Sequence, residues 1–262
     1  MGPITRVDSR DGVATITLLR KQALNAFDDA LALELRTMLK VLERDESTRV
    51  IVVTGSGAAF SAGQDVFEMA REESDKGPRA VNDQLKERFL PVIMRLRSIE
   101  KPIIAQVNGV AAGAGLAIAL ACDFRVASEA ATFIMSPIGL GLIPGSGLSV
   151  MAPRLVGITL ATELFMLGSR IDAARALEVG LLHSVVPSER LADAVHDLAL
   201  QLVSQPPVAL GLTKRALNRA VYHDLETHMR YEAYLQELAA GTTDHSERLK
   251  TITSRKDHEK SE

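Results

Sequence analysis

Val13-Ala14-Thr15-Ile16-Thr17-Leu18 alternates apolar with polar residues, the two-residue period of a half-buried strand. Ile4-Thr5-Arg6-Val7 reads as its hairpin partner across Asp11-Gly12. From Asp28, a residue suited to capping a helix, Leu31, Leu35, Met38, Leu39 and Leu42 recur at helical spacing. Val50 to Thr54, Ile103 to Val107 and Phe124 to Ala127 read as buried strands, with a buried helix from Ala114 to Ala121. The polar stretch Met69 to Gln84 has no clear period and predicts a mobile loop beside a pocket, and Leu85 to Ile99 predicts a helix disturbed at Pro91. A Gly/Pro cluster, Pro137 to Gly147, then separates a strand-rich core from a mainly helical remainder. In that remainder Val185-Val186 is a brief strand, and Ser188 to Ser204, Pro207 to Ala220, Leu225 to Ala240 and Asp244 to Ser254 are amphipathic helices. The rhythm is strand-strand-helix, an α/β class.

Two glycine-rich turns carry the most chemistry. Phe60-Ser61-Ala62-Gly63-Gln64-Asp65 and Asn108-Gly109-Val110-Ala111-Ala112-Gly113-Ala114-Gly115 each follow an apolar strand and each lead into a helix. Both can present free backbone N–H groups, and two such turns facing one point would make an oxyanion hole. A dinucleotide reading of Gly113-Ala114-Gly115 fails because Ile118 stands where the third glycine belongs, and no G-x-x-x-x-G-K-[ST] run exists.

Other readings weigh less. Ser61 in Ala59-Phe60-Ser61-Ala62-Gly63 resembles a degenerate nucleophile elbow, served by His183 or His223, so serine hydrolysis stands as a rival. His183, His196, His223, His228, His245 and His258 form no H-E-x-x-H and predict surface or helix-end positions, with no metal site. Asp65 and Asp123 read as capping or turn-fixing residues. The 262 residues carry 30 basic and 33 acidic side chains, a net charge of -3, without a basic stripe interleaved with aromatics, so a nucleic-acid partner is not expected. A single cysteine, Cys122, fits a reducing, cytoplasmic setting. The longest apolar run, Val110 to Cys122, is too short to span a bilayer, so no membrane association is expected.

Several separate motifs in order resemble the crotonase, or enoyl-CoA hydratase/isomerase, superfamily. They are Arg20 with Ala23-Leu24-Asn25-Ala26, Val52-Val53-Thr54-Gly55, Phe60 to Asp65, Lys101-Pro102, Val107-Asn108-Gly109, Cys122-Asp123, Gly141-Leu142-Ile143-Pro144 and Ala176 to Leu181. The resemblance implies a spiral of ββα turns over residues 1–200, with a C-terminal helical trimerisation region over 201–262. It implies a homotrimer or homohexamer acting on an acyl-CoA thioester, with coenzyme A as part of the substrate and no separate cofactor. It places the oxyanion hole on the backbone N–H groups of Gln64 and Ala114. For the thioester it suggests Arg20, Gln22, Ala23, Leu24, Ala62, Gly63, Asp65, Val66, Gly113, Ile252, Arg255 and Lys256, and for the acyl pocket Met69, Ala117, Met135, Pro137, Ile138 and Leu142.

The chain departs from the family at the proton-transfer positions. Ala117 and Pro137 stand where hydratases carry two glutamates, and Ile252 replaces an aromatic. The motifs look most like the ring 1,2-epoxyphenylacetyl-CoA isomerases, which rearrange an epoxide to an oxepin, yet Gly145 replaces that subgroup's aspartate. Rearrangement is therefore expected over simple hydration, with Glu68, Glu87, Glu163 or a water as the candidate bases and a non-catalytic acyl-CoA-binding role as the alternative.

Overall fold

The computed structural model describes residues 3–135 and 137–259. Two sheets share the strands of successive turns of chain. The larger has the order β1 (Thr5–Arg10), β2 (Val13–Leu18), β3 (Val50–Gly55), β5 (Ile103–Val107), β7 (Phe124–Ser128), β10 (Ser184–Val186), and the smaller β4 (Ala59–Ser61), β6 (Val110–Ala112), β8 (Thr132–Ile134), β9 (Arg170–Asp172). Three consecutive strand pairs, β3/β4, β5/β6 and β7/β8, each place one strand in each sheet. Their pairings are parallel, whereas β1–β2 and β8–β9 are antiparallel. This is the ββα spiral expected from the sequence.

The helices follow the apolar stripes. α1 (Asp29–Arg44) begins where the Asp28 side chain accepts from Leu31 N–H at 2.8 Å, and it buries Leu31, Leu35, Leu39 and Leu42. The stretch expected as a mobile loop is instead two helices, α2 (Val66–Lys76) and α3 (Arg79–Gln84). Asp65 caps α2, Gly77 with φ +72° ends it, and the pairs Glu72–Lys76 and Arg79–Asp83 lie at helical i,i+4 spacing. The polar residues hid a narrow buried stripe of Met69, Ala80 and Val81.

A π turn, Leu85–Phe89, then leads into α4 (Leu90–Ser98), loosening the helix just before Pro91, which has no N–H to give. α5 (Gly113–Ala121) is buried almost throughout. α6 (Leu148–Val156), α7 (Ile158–Leu167), α8 (Ala173–Glu178), α9 (Leu191–Val203), α10 (Pro207–Val221), α11 (Leu225–Ala240) and α12 (Thr243–Glu259) complete the chain. α9 packs across the large sheet, α11 lies on α3 and α12 returns over α2. Among the described residues no helix is long and apolar enough to cross a membrane.

Candidate active site

The smaller sheet brings the two glycine turns together, because β4 and β6 are parallel neighbours and both turns leave from their C-terminal ends. Contact is backbone on backbone. A Cβ on Gly63, whose φ is +94°, would lie 2.7 Å from Ala112 O and 3.3 Å from Ala114 N. One on Gly115 would lie 2.6 Å from Ser61. Only glycine permits either approach.

Phe27 holds the first turn from one side, donating to Gly63 O at 2.7 Å and accepting from Asp65 N–H at 2.9 Å. Alternate N–H groups of extended chain face opposite ways, so the N–H of Gln64 is turned from Phe27. Ala114 is the second residue of α5, where an N–H has no acceptor within the helix. Among the described residues neither N–H meets an acceptor, and both residues line a cavity of ≈ 320 Å³.

Charged groups fasten this frame from outside. The Arg20 guanidinium pairs with Asp28 at 3.0 Å and Asp65 at 3.1 Å and donates to Ala26 O, while Asp65 accepts from Phe67 and Glu68 N–H as the cap of α2. Leu24 O accepts from Ala62 N–H at 2.9 Å, tying the single turn Lys21–Ala23 to the glycine turn. Arg20 and Leu24 therefore support the frame of the cavity, and Gln22 and Ala23 lie in or beside the same turn without lining the cavity. Ser61 is fully buried, donating its hydroxyl to Asn25 O at 2.8 Å and accepting from Gly63 N–H at 3.1 Å. Its partners are backbone groups, with no histidine among them, so it is a structural pin and the elbow reading is corrected.

Of the residues expected at the site, Ala62, Gln64, Val66, Met69, Gly113, Ala114, Pro137, Leu142 and Ile252 line the cavity. Ala117 and Met135 are buried and Ile138 is 40% exposed, and none of the three is among the lining residues. The side chains of Arg255 and Lys256 lie outside the described residues. Among the described residues Leu85, Ile134, Ser146 and Gln236 also line it without having been anticipated, together with Ala112, Gly139, Leu140 and Gly145. Among the described residues the polar side chains of the lining, Gln64, Ser146 and Gln236, are uncharged.

Gln236 accepts from Ile143 N–H at 3.0 Å and donates to Ile143 O at 2.9 Å, and a Cβ on Gly145 would sit 3.1 Å from its Nε2. One helical turn earlier, Glu232 accepts from Gly147 N–H at 2.6 Å and Ser149 N–H at 3.1 Å, and burial pushes its carboxyl above the usual range. α11 thus clamps the 143–149 loop that forms one wall. A polar pair four residues apart on the buried face of a helix is the trace of this in the sequence.

The candidate bases stand elsewhere. Glu68 pairs with the buried Arg88 at 2.9 Å, and burial, opposed by that cation, raises its carboxyl. Asp29 and Glu72 close on the same guanidinium, so this carboxylate cluster already surrounds a cation. Glu87 and Glu163 are exposed. Asp123 is structural as expected, accepting from Ile103 N–H at 2.9 Å and pairing with Lys214 at 2.7 Å. His245, expected at the surface, is 1% exposed and bridges α12 to α2.

The family model for enoyl-CoA hydratase/isomerase matches residues 8–260. The chain is 39% identical over 246 residues to the 1,2-epoxyphenylacetyl-CoA isomerase of Escherichia coli, covering 94% of this chain and 93% of that protein. It is 36% identical over 222 residues to the short-chain-enoyl-CoA hydratase of Clostridium acetobutylicum, covering 84% and 83%. The crystal structure of an enoyl-CoA hydratase from Mycobacterium avium subsp. paratuberculosis superposes with a TM-score of 0.83 at 28% identity, over 97% of this chain and 96% of the other. The spiral, its adjoining glycine turns and these likenesses together establish that the chain belongs to the enoyl-CoA hydratase/isomerase family, the crotonase superfamily.

Proposed function

We propose that this protein binds an acyl-CoA thioester in the ≈ 320 Å³ cavity and polarises the thioester carbonyl with the backbone N–H groups of Gln64 and Ala114, stabilising an enolate. The observation that carries this reading is the pair of N–H groups without acceptors on one cavity wall. Ala114 adds the positive end of the α5 dipole, which favours a developing negative charge.

Isomerisation or rearrangement of the acyl group fits better than hydration. Hydration needs side chains that orient and deprotonate water, and among the described residues the polar side chains of the lining are two amides and a hydroxyl. The E. coli relative is named as an isomerase, in keeping with this preference. The same uncharged lining favours a second reading, an acyl-CoA-binding protein without turnover.

Incubation with enoyl-CoA, dienoyl-CoA and epoxyphenylacetyl-CoA thioesters followed by mass spectrometry separates the readings. An isomeric product of unchanged mass supports rearrangement, and a gain of one water supports hydration. Tight binding without any product leaves the binder, and no binding by any thioester defeats the acyl-CoA reading. Assembly as a homotrimer or homohexamer is part of the proposal, since α7 and α11 leave Ile158, Met166, Leu167, Tyr231 and Tyr234 exposed. A stable monomer in light scattering would overturn it.

A further inference from the structure

His245 sits where three walls of the cavity meet. Its Nδ1 lies 2.6 Å from Leu140 O, and its Nε2 lies 2.9 Å and 3.1 Å from the two oxygens of Glu73. Leu140 lines the cavity, α2 supplies Val66 and Met69 to it, and α12, which carries His245, supplies Ile252. The fit is close: a Cβ on Gly141 would lie 2.9 Å from His245 Cα, so α12 rests directly on the 138–141 turn.

Both ring nitrogens face groups that accept. A carbonyl oxygen never donates, and an ionised carboxylate never donates, so a neutral imidazole leaves one of its nitrogens opposite an acceptor with no proton between them. Only the doubly protonated ring satisfies both contacts. With the ring 1% exposed, water offers little compensation.

We propose that His245 is a positioning residue which, as the imidazolium, locks α2, the 138–141 turn and α12 into one wall, so that closure of the cavity depends on one buried proton.

The charged surroundings agree. From α2 the facing group is Glu73, and Lys76 on that helix pairs with Glu72. From the turn the ring meets Leu140 O, and on α12 itself Asp244, Glu247 and Arg248 flank it, with Arg248 donating to Gly139 O at 3.3 Å. At the junction with α11, Thr242 Oγ1 accepts from His245 N–H at 3.3 Å. Burial pulls the imidazole's pKa down, but the Glu73 carboxylate and the Leu140 carbonyl outweigh it and hold it above the ordinary value of 6.5. The clamp is therefore held below that ordinary value and is lost as pH rises through the higher folded one.

The consequence for ligand affinity rests on the acyl-CoA reading, whereas the clamp does not. Ring NMR of the full chain should show His245 titrating above 6.5, and amide exchange of residues 243–254, corrected for its intrinsic pH dependence, should quicken over the same range. Affinity for butyryl-CoA should weaken by up to about tenfold per pH unit above that point, the limit for one proton. In Glu73→Gln the carboxamide can donate to Nε2, so a neutral ring suffices and the alkaline loss should flatten, whatever affinity the variant settles at. A His245 titration at or below 6.5, or an undiminished alkaline loss in Glu73→Gln, overturns the proposal. Absence of butyryl-CoA binding at every pH would instead count against the acyl-CoA reading, leaving the NMR and exchange results to decide the clamp.

Discussion

Gly63→Ala tests the frame of the site at its narrowest point. The added methyl would sit 2.7 Å from Ala112 O, about 0.7 Å short of the 3.4 Å at which ordinary contact begins. The φ of +94° adds strain that an L-residue feels whatever the space, on the order of 1–3 kcal/mol. Relief requires Ala112 to retreat, and Ala114 follows two residues along the same chain. A displacement approaching 1 Å at a reacting centre costs roughly 10²-fold in rate, comparable with losing one oxyanion donor.

Gly77→Ala, at the C-terminal end of α2 and outside the cavity lining, is the matched control, since its φ is also positive at +72° but a Cβ there meets nothing within 4 Å. It should pay only the backbone cost of about 1–3 kcal/mol. Thermal unfolding measures the first effect, at roughly 2–4 °C per kcal/mol for a chain of this size. Butyryl-CoA affinity and turnover of whichever thioester proves reactive measure the second. Equal losses of affinity and turnover in the two variants, or wild-type behaviour of Gly63→Ala, would refute the claim that backbone contact sets the donor geometry.

Three further outcomes follow from buried polar groups. Ser61→Ala should destabilise by about 1–3 kcal/mol through the orphaned Asn25 O and Gly63 N–H, read by urea denaturation, whereas loss of an ester-hydrolysing activity would restore the nucleophile. Arg88→Met leaves Glu68 and Glu72 facing each other without their cation and should cost about 3–5 kcal/mol; a loss under about 1 kcal/mol would show that the cluster is a solvated surface pair. His183, held down to about 4 by burial and the Arg125 cation, should titrate near that value by ring NMR. The stability it contributes is present above the ordinary 6.5 and is lost as pH falls toward about 4, so a midpoint near 6.5 would contradict the shift.

β2, β3, β5 and β7 of the larger sheet were legible because each carries a run of buried apolar residues, and the C-terminal helices because their apolar residues recur at helical spacing. β4, β6, β8 and β9 are three residues long, too short for any period to declare itself. Residues 69–84 misled because α2 and α3 bury a narrow stripe under a charged surface, and the packing of α11 and α12 supplies the burial that the local pattern does not reveal. At the site the turns could be read from their glycines, and Asp65 from its place before a helix. Ser146 and Gln236 could not, because 90 residues separate them and only the return of α11 over the core brings them to one wall. His245 was misjudged for the same reason, its partners lying more than 100 residues away.

The division of labour between frame and walls has a practical consequence for redesign. The N–H frame comes from two chain segments that touch at Gly63 and Gly115, where no added atom fits, whereas the cavity walls come from α2, the π turn at Leu85, the 134–146 stretch, α11 and α12. Ala62, Gln64, Ala112, Gly113 and Ala114 of the frame also face the cavity, but none of them lies in those wall segments. Met69, Leu85, Leu142 and Ile252 can therefore be exchanged in combination to reshape what the cavity admits, as interchangeable fittings around a fixed socket. A library confined to these four positions varies selectivity while holding the electrophile's seat constant.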